Sequence, residues 1–149
     1  MQRIYLAGPL FSSAKQAWLR ETKDHIERTI PALSVVWPFD LFDQAEIARW
    51  GEEAPRRVME NCRDALASCD MVVALLDGPQ VDDGTAWEIG FAHARGIPVV
   101  GIRTDFRRAG DVPGALVNAM IHGSCSGIAT NMEELLHLLR NFPFPRRSA

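Results

Sequence analysis

Five short apolar runs alternate with longer segments of helical spacing, and this alternation constrains the chain more than any other feature. Ile4–Ala7, Leu33–Trp37, Met71–Leu76, Val99–Ile102 and Gly127–Ala129 have strand length, and Val, Ile and Leu dominate them. Between them, Ser12 or Ser13 caps a helix running to about Ile30, where Pro31 ends it. Pro55 suits a first helical turn, and Val58, Met59, Cys62, Ala65, Leu66 and Cys69 make one face of the helix that follows. A third helix runs from Thr85 to about Arg95, with Gly96 beyond its end. Leu116–Ile121 is a short helix, and Glu133–Arg140 is a last one behind Asn131. Pro143 and Pro145 close the chain as a tail. Strand–helix alternation of this kind predicts an α/β domain with a parallel sheet covered on both faces. Right-handed crossovers then favour a doubly wound five-stranded sheet of order 2-1-3-4-5.

At 149 residues the chain fits one domain, residues 1–149, with neither linker nor internal repeat. A net charge of -3 without a basic stripe argues against a nucleic acid polymer as partner. The apolar runs are too short to span a bilayer, and no secretory signal precedes the first strand. The three cysteines, Cys62, Cys69 and Cys125, show no framework spacing and read as reduced thiols of a cytoplasmic protein. Cys62 and Cys69 share a helix face and are expected in the core. Neither they nor His25, His93, His122 and His137 have metal-ligand spacing, so no metal is expected. No G-x-G-x-x-G follows the first strand and no Walker pattern occurs, so no cofactor is expected either.

In a sheet of this order the ligand crevice lies at the carboxyl ends of strands 1 and 3. Gly8-Pro9-Leu10-Phe11 and the segment Asp77 to Asp83 should meet there. Gly8 allows close backbone approach. Asp77, Asp82, Asp83 and Glu88 form an acidic set, with Tyr5 and Phe11 beside it as pocket walls or as core. Carboxylates accept hydrogen bonds from sugar hydroxyls, and aromatic faces stack on a flat base. A glutamate can also attack an anomeric carbon. Crowded acids raise one another's pKa and can supply a proton donor. Glu88 has apolar neighbours Ala86, Trp87, Ile89 and Phe91, so its carboxylate looks out of a semi-buried wall. Phe39 to Glu53, with a helical turn over Gln44–Trp50, has the length of a binding loop or lid.

Several segments, in order, resemble the nucleoside 2-deoxyribosyltransferase family: Ile4-Tyr5-Leu6-Ala7-Gly8-Pro9, Cys69 to Ala74, Asp82-Asp83-Gly84-Thr85-Ala86-Trp87-Glu88-Ile89-Gly90, Arg103 to Arg107, and Val117-Asn118-Ala119-Met120. The resemblance implies a flavodoxin-like fold and transfer of deoxyribose between bases. It implies Glu88 as nucleophile, Tyr5 beside it, and Asp82 holding the sugar 5′-hydroxyl. It implies Asn118 reaching the same hydroxyl from a neighbouring subunit of a homo-oligomer, and Gln44 near the base. Some members carry an aspartate for the base where this chain has Cys62. Asp77 is the preferred substitute as proton donor, and Asp64 the second. Two alternatives remain: an N-glycosidase hydrolysing deoxynucleoside 5′-monophosphates, and a non-enzymatic nucleotide-sensing domain of the same fold. The first places small hydroxyl residues where the phosphate sits, and Asp82 would repel that phosphate.

Overall fold

The computed structural model describes residues 1–144. Strands β1 (Gln2–Ala7), β2 (Leu33–Val36), β3 (Met71–Leu75), β4 (Val99–Ile102) and β5 (Gly127–Ala129) form one sheet of order β2-β1-β3-β4-β5. All four pairings are parallel, as the strand–helix alternation requires. Helices α1 (Ser13–Thr29), α2 (Gln44–Trp50), α3 (Ala54–Ala67), α4 (Asp83–Ala94), α5 (Ala119–Ser124) and α6 (Met132–Asn141) complete the chain, with short 3₁₀ turns at Pro38–Leu41 and Gly51–Glu53. Pro145 of the expected tail lies outside the described residues. Among the described residues, no helix is long and apolar enough to cross a membrane.

The period of two along β1 divides the core and fixes the site. Ile4 and Leu6 face Leu19 and Ile26 of α1 and Leu135 of α6. Tyr5 and Ala7 face the other way, toward Leu66 of α3 and Ile89 of α4. One residue of register therefore puts the Tyr5 side chain on the same face of the sheet as Glu88.

Helix starts follow local chemistry. Ser12 accepts the Lys15 amide at α1, and Asn131 accepts the Glu134 amide at α6. Two helix starts differ from the sequence reading by two residues or more. The helix expected over Leu116–Ile121 begins later, at Ala119, because Asn118 caps it by accepting the Met120 amide. Helix α4 begins at Asp83 rather than Thr85, because the Asp82 carboxylate accepts the Thr85 amide.

Candidate active site

The loop after β1, the loop before α4, the segment 38–47 and one face of α3 enclose a cleft of about 750 Å³. It lies between the carboxyl ends of β1 and β3, at the switch point of the sheet. Glu88 and Asp82 are its two acids. The opposite wall is apolar, with Phe11, Phe39, Phe42, Ile47 and Val58.

Glu88 is held from below. The buried Tyr5 hydroxyl donates to Glu88 Oε1 at 2.6 Å. Ile89 and Ala92, both buried, anchor α4 to the sheet, and Thr85 fixes its first turn. Burial is the largest influence on the Glu88 carboxyl and raises its pKa from 4.5 to about 7. The Tyr5 hydrogen bond opposes that rise and the nearby Asp82 charge adds to it. Tyr5 itself is held far above the usual phenol range, first by burial and then by the Glu88 charge, so it remains a donor. Cys62 of α3 sits against the same hydroxyl, and burial raises its thiol pKa.

Asp82 caps α4. Its Oδ2 accepts both the Thr85 amide and the Thr85 hydroxyl, each at 3.0 Å. Both bonds fall on one oxygen, which leaves Oδ1 with acceptor capacity for a ligand. On the β1 side, Gln16 Nε2 donates to the Leu10 carbonyl at 2.7 Å and fixes the loop. A Cβ on Gly8 would lie 2.9 Å from Leu19 Cδ2, so a side chain there would push the buried Leu19 aside. Phe39 stacks on the buried Trp37 with ring centroids 4.8 Å apart, and the Arg20 guanidinium lies over both rings.

The fold thus brings together Glu88, Tyr5, Asp82, Gly8, Phe11 and Gln44 of the residues read from sequence. Phe11 is 85% exposed, so its role as core is excluded and its ring is free to meet a ligand. Asp77 is corrected. Its carboxylate is taken by the Thr104 amide and hydroxyl and by the Asp105 amide, and it does not line the cleft. Asp64 is exposed and paired with Arg63. Asp83 points away, into a separate cavity that also holds Asp111 and Asn118. Asn118 caps α5 and donates to Asp111, so it does not reach the cleft of its own chain.

Sequence reasoning placed Cys62 in the core, whereas it lines the cleft. The available signal was the Val58–Cys62–Leu66 spacing, which puts Cys62 on the helix face turned toward β1. Phe39, Phe42 and Ile47 lie in the segment expected as a binding loop or lid, although none was singled out. Gln16 was missed, because nothing local marks a helix residue that becomes a wall only after the fold closes. Among the described residues, no cluster of His, Cys, Asp or Glu could hold a metal ion.

The family model for nucleoside 2-deoxyribosyltransferases matches residues 4–120. The chain belongs to this family. The curated fission yeast protein C191.05c, uncharacterized, is 32% identical over 108 residues. That match covers 70% of the chain, which spans about half of the relative's length (51%). A conserved protein from Enterococcus faecalis superposes with a TM-score of 0.72 at 27% identity, covering 94% of this chain and 98% of that one. The 2-deoxyribosyltransferase of Bacillus psychrosaccharolyticus gives a TM-score of 0.70 at 22% identity, with 90% of each chain covered. The flavodoxin-like fold is therefore shared with an enzyme of the family.

Proposed function

We propose that the protein transfers 2-deoxyribose between nucleobases through a covalent glycosyl ester on Glu88. The observation that carries this reading is a partly buried carboxylate, bonded to Tyr5 and aimed into a cleft with one further acid and an aromatic wall. The base stacks on the aromatic side, with Gln44 at its edge, and the sugar lies toward Asp82. Ionised Glu88 attacks C1′, the C1′–N bond breaks, and the base departs with the bonding pair and a proton from solvent. A ring nitrogen of a second base then attacks C1′ from the other face and gives up its proton to solvent, and the ester oxygen leaves as the regenerated carboxylate. Two displacements return the original anomeric configuration. Tyr5 orients Glu88 and restrains its pKa, so a useful fraction is ionised at neutral pH.

Asp82 favours nucleosides over nucleotides, because a phosphate beside it would set two anions together in a partly desolvated site. Asn118 is bound to Asp111, away from its own cleft, so a role at the 5′-hydroxyl requires a second subunit. On this reading the active species is a homo-oligomer in which a neighbouring subunit supplies Asn118. The three free cysteines suit the reducing cytosol.

The test incubates the protein with a deoxynucleoside, with and without a second free base, and separates the products by chromatography. A new deoxynucleoside that depends on the second base, and is absent with Glu88→Ala, supports transfer. Release of free base and sugar at the same rate with or without acceptor supports hydrolysis instead. No reaction with either nucleosides or their monophosphates overturns the enzymatic reading.

A further inference from the structure

Arg103 is a guanidinium in the interior, with its side chain only 4% exposed, and the proposed chemistry does not use it. It follows β4 directly, and its own amide donates to the Ala129 carbonyl. Its Nη1 donates to the carbonyls of Leu76 and Gly78, at 2.6 Å and 3.0 Å. Its Nη2 donates to the Arg107 carbonyl at 2.7 Å. The nearest carboxylate oxygen, on Asp105, is 3.9 Å away. The guanidinium is therefore held chiefly by backbone carbonyls, two of which belong to the loop leaving β3.

That loop is stitched from the other direction as well. Asp77 accepts the Thr104 amide and hydroxyl and the Asp105 amide. Asp105 Oδ2 in turn accepts the Gly78 amide at 3.3 Å. Gly78 has φ of +105°, a conformation that side chains rarely adopt, so the loop turns sharply where Arg103 grips it. Four residues later the chain reaches Asp82, whose carboxylate caps α4 and faces the cleft.

We infer that Arg103 is a positioning residue that holds the loop after β3 so that the Asp82 carboxylate meets the 5′-hydroxyl of the bound nucleoside. The inference rests on the sugar-side assignment of Asp82 given above. A buried guanidinium suits this task because its planar donors reach several carbonyls at once. Lysine keeps the charge and loses the geometry. Removing the guanidinium leaves the Leu76, Gly78 and Arg107 carbonyls without that partner, so the loop relaxes toward water. Glu88 and Tyr5 sit on α4 and β1 and keep their contact. The loss should therefore fall on the part of the substrate that Asp82 touches and not on the attack at C1′.

The experiment compares wild type, Arg103→Lys, Arg103→Ala, and the milder Thr104→Val, which removes one donor to Asp77 and leaves Arg103 in place. Amide hydrogen exchange over residues 77–86 is measured against α1 as internal reference. Kinetics use a 2′-deoxynucleoside and the matching 2′,5′-dideoxynucleoside. In Arg103→Lys, exchange over 77–86 should accelerate about tenfold or more with α1 unchanged, as expected for local opening. The KM for the 5′-hydroxyl substrate should rise about tenfold, roughly the effect of one well-placed hydrogen bond. Its kcat, and kcat/KM for the dideoxynucleoside, should stay within about twofold. Thr104→Val should shift the same quantities in the same direction by less. Guanidinium ion should restore activity to Arg103→Ala in part.

Unchanged exchange over 77–86 in folded Arg103→Lys overturns the inference. Equal losses on both substrates also overturn it, because Arg103 would then support only the fold. If wild type transforms neither nucleoside, the functional reading fails by itself, and the exchange measurement still decides whether Arg103 holds the loop.

Discussion

Glu88→Gln should make the protein inactive and, at alkaline pH, more stable. The substitution keeps shape and an acceptor for the Tyr5 hydroxyl, and removes the charge. The Glu88 carboxyl is raised from 4.5 to about 7, chiefly by burial. At about 1.36 kcal/mol per pKa unit, those 2.5 units (7 − 4.5) set a ceiling of roughly 3.4 kcal/mol. Relaxation and water penetration lower this, so about 1.5–3 kcal/mol is the working range. The sign follows from proton linkage. Between pH 4.5 and about 7 the folded protein holds a proton that the unfolded chain releases. Stability from this group is thus full below pH 4.5 and is lost as pH rises through 7. Glutamine does not titrate, so the gap between variant and wild type should open over that same window.

For a domain of this size about 1 kcal/mol corresponds to roughly 2–4 °C in Tm. The variant should therefore melt about 3–12 °C above wild type at pH 8 and show little pH-dependent advantage near pH 5. Circular dichroism melts of both proteins from pH 5 to 8.5 make the comparison. Any fixed cost of accommodating the amide N–H₂ appears equally at every pH, so the slope of the gap isolates the charge. A gap that does not change with pH, or a variant that loses stability relative to wild type as pH rises, refutes the argument that burial raises the Glu88 pKa.

Tyr5→Phe removes the hydrogen bond that restrains the Glu88 pKa, so the acid limb of the kcat/KM profile should move to higher pH than in wild type. A profile that stays in place or moves to lower pH counts against that bond. Asp82→Ser should narrow the preference for deoxynucleosides over their 5′-monophosphates by about tenfold or more, read as a ratio of kcat/KM values, because a repelling carboxylate worth at least ~1.4 kcal/mol is gone. An unchanged ratio would mean that Asp82 does not face the 5′ end. Mixing inactive Glu88→Ala and Asn118→Ala under conditions of subunit exchange should recover part of the activity, since some hybrid pockets draw both intact residues. No recovery despite demonstrated exchange shows that Asn118 does not act across subunits.

The sheet order was legible because the strands are buried on both faces and read as uninterrupted apolar runs, with helical patterns between them. The residue types of the site were legible too: Glu88, Asp82, Tyr5 and Gly8 all lie at the two strand ends that a doubly wound sheet brings together. The destinations of the acids were not. Asp77 and Asp82 are both loop aspartates five residues apart, and only the positions of Thr104 and Asp105 decide that Asp77 fastens one loop to another. Arg103 entered the sequence reading as the first residue of a segment that resembles the family, yet it is buried and held by three carbonyls. Polar groups whose partners lie more than twenty residues away give no local signal, and periodicity does not report them.

The two sides of the cleft are built to different standards. Tyr5 lies in β1, which is paired to β2 and to β3, and Glu88 lies beside the buried Ile89, so the 2.6 Å bond joins two elements fixed in the core. Asp82 is tied to α4 by two bonds from Thr85, and its loop is clamped by Arg103. The segment opposite consists of two 3₁₀ turns and α2, a seven-residue helix with no buried residue. Its rings are only partly buried: Phe39 stacks on Trp37 at the edge of the core, and Phe42 lies edge-on to Trp50. A carboxylate that attacks one particular carbon needs a position held to a fraction of an ångström. A surface that admits first one base and then another gains from being able to shift. On the proposed reading, the rigid half carries the groups that meet the sugar, and the lightly packed half carries the surface that meets the base.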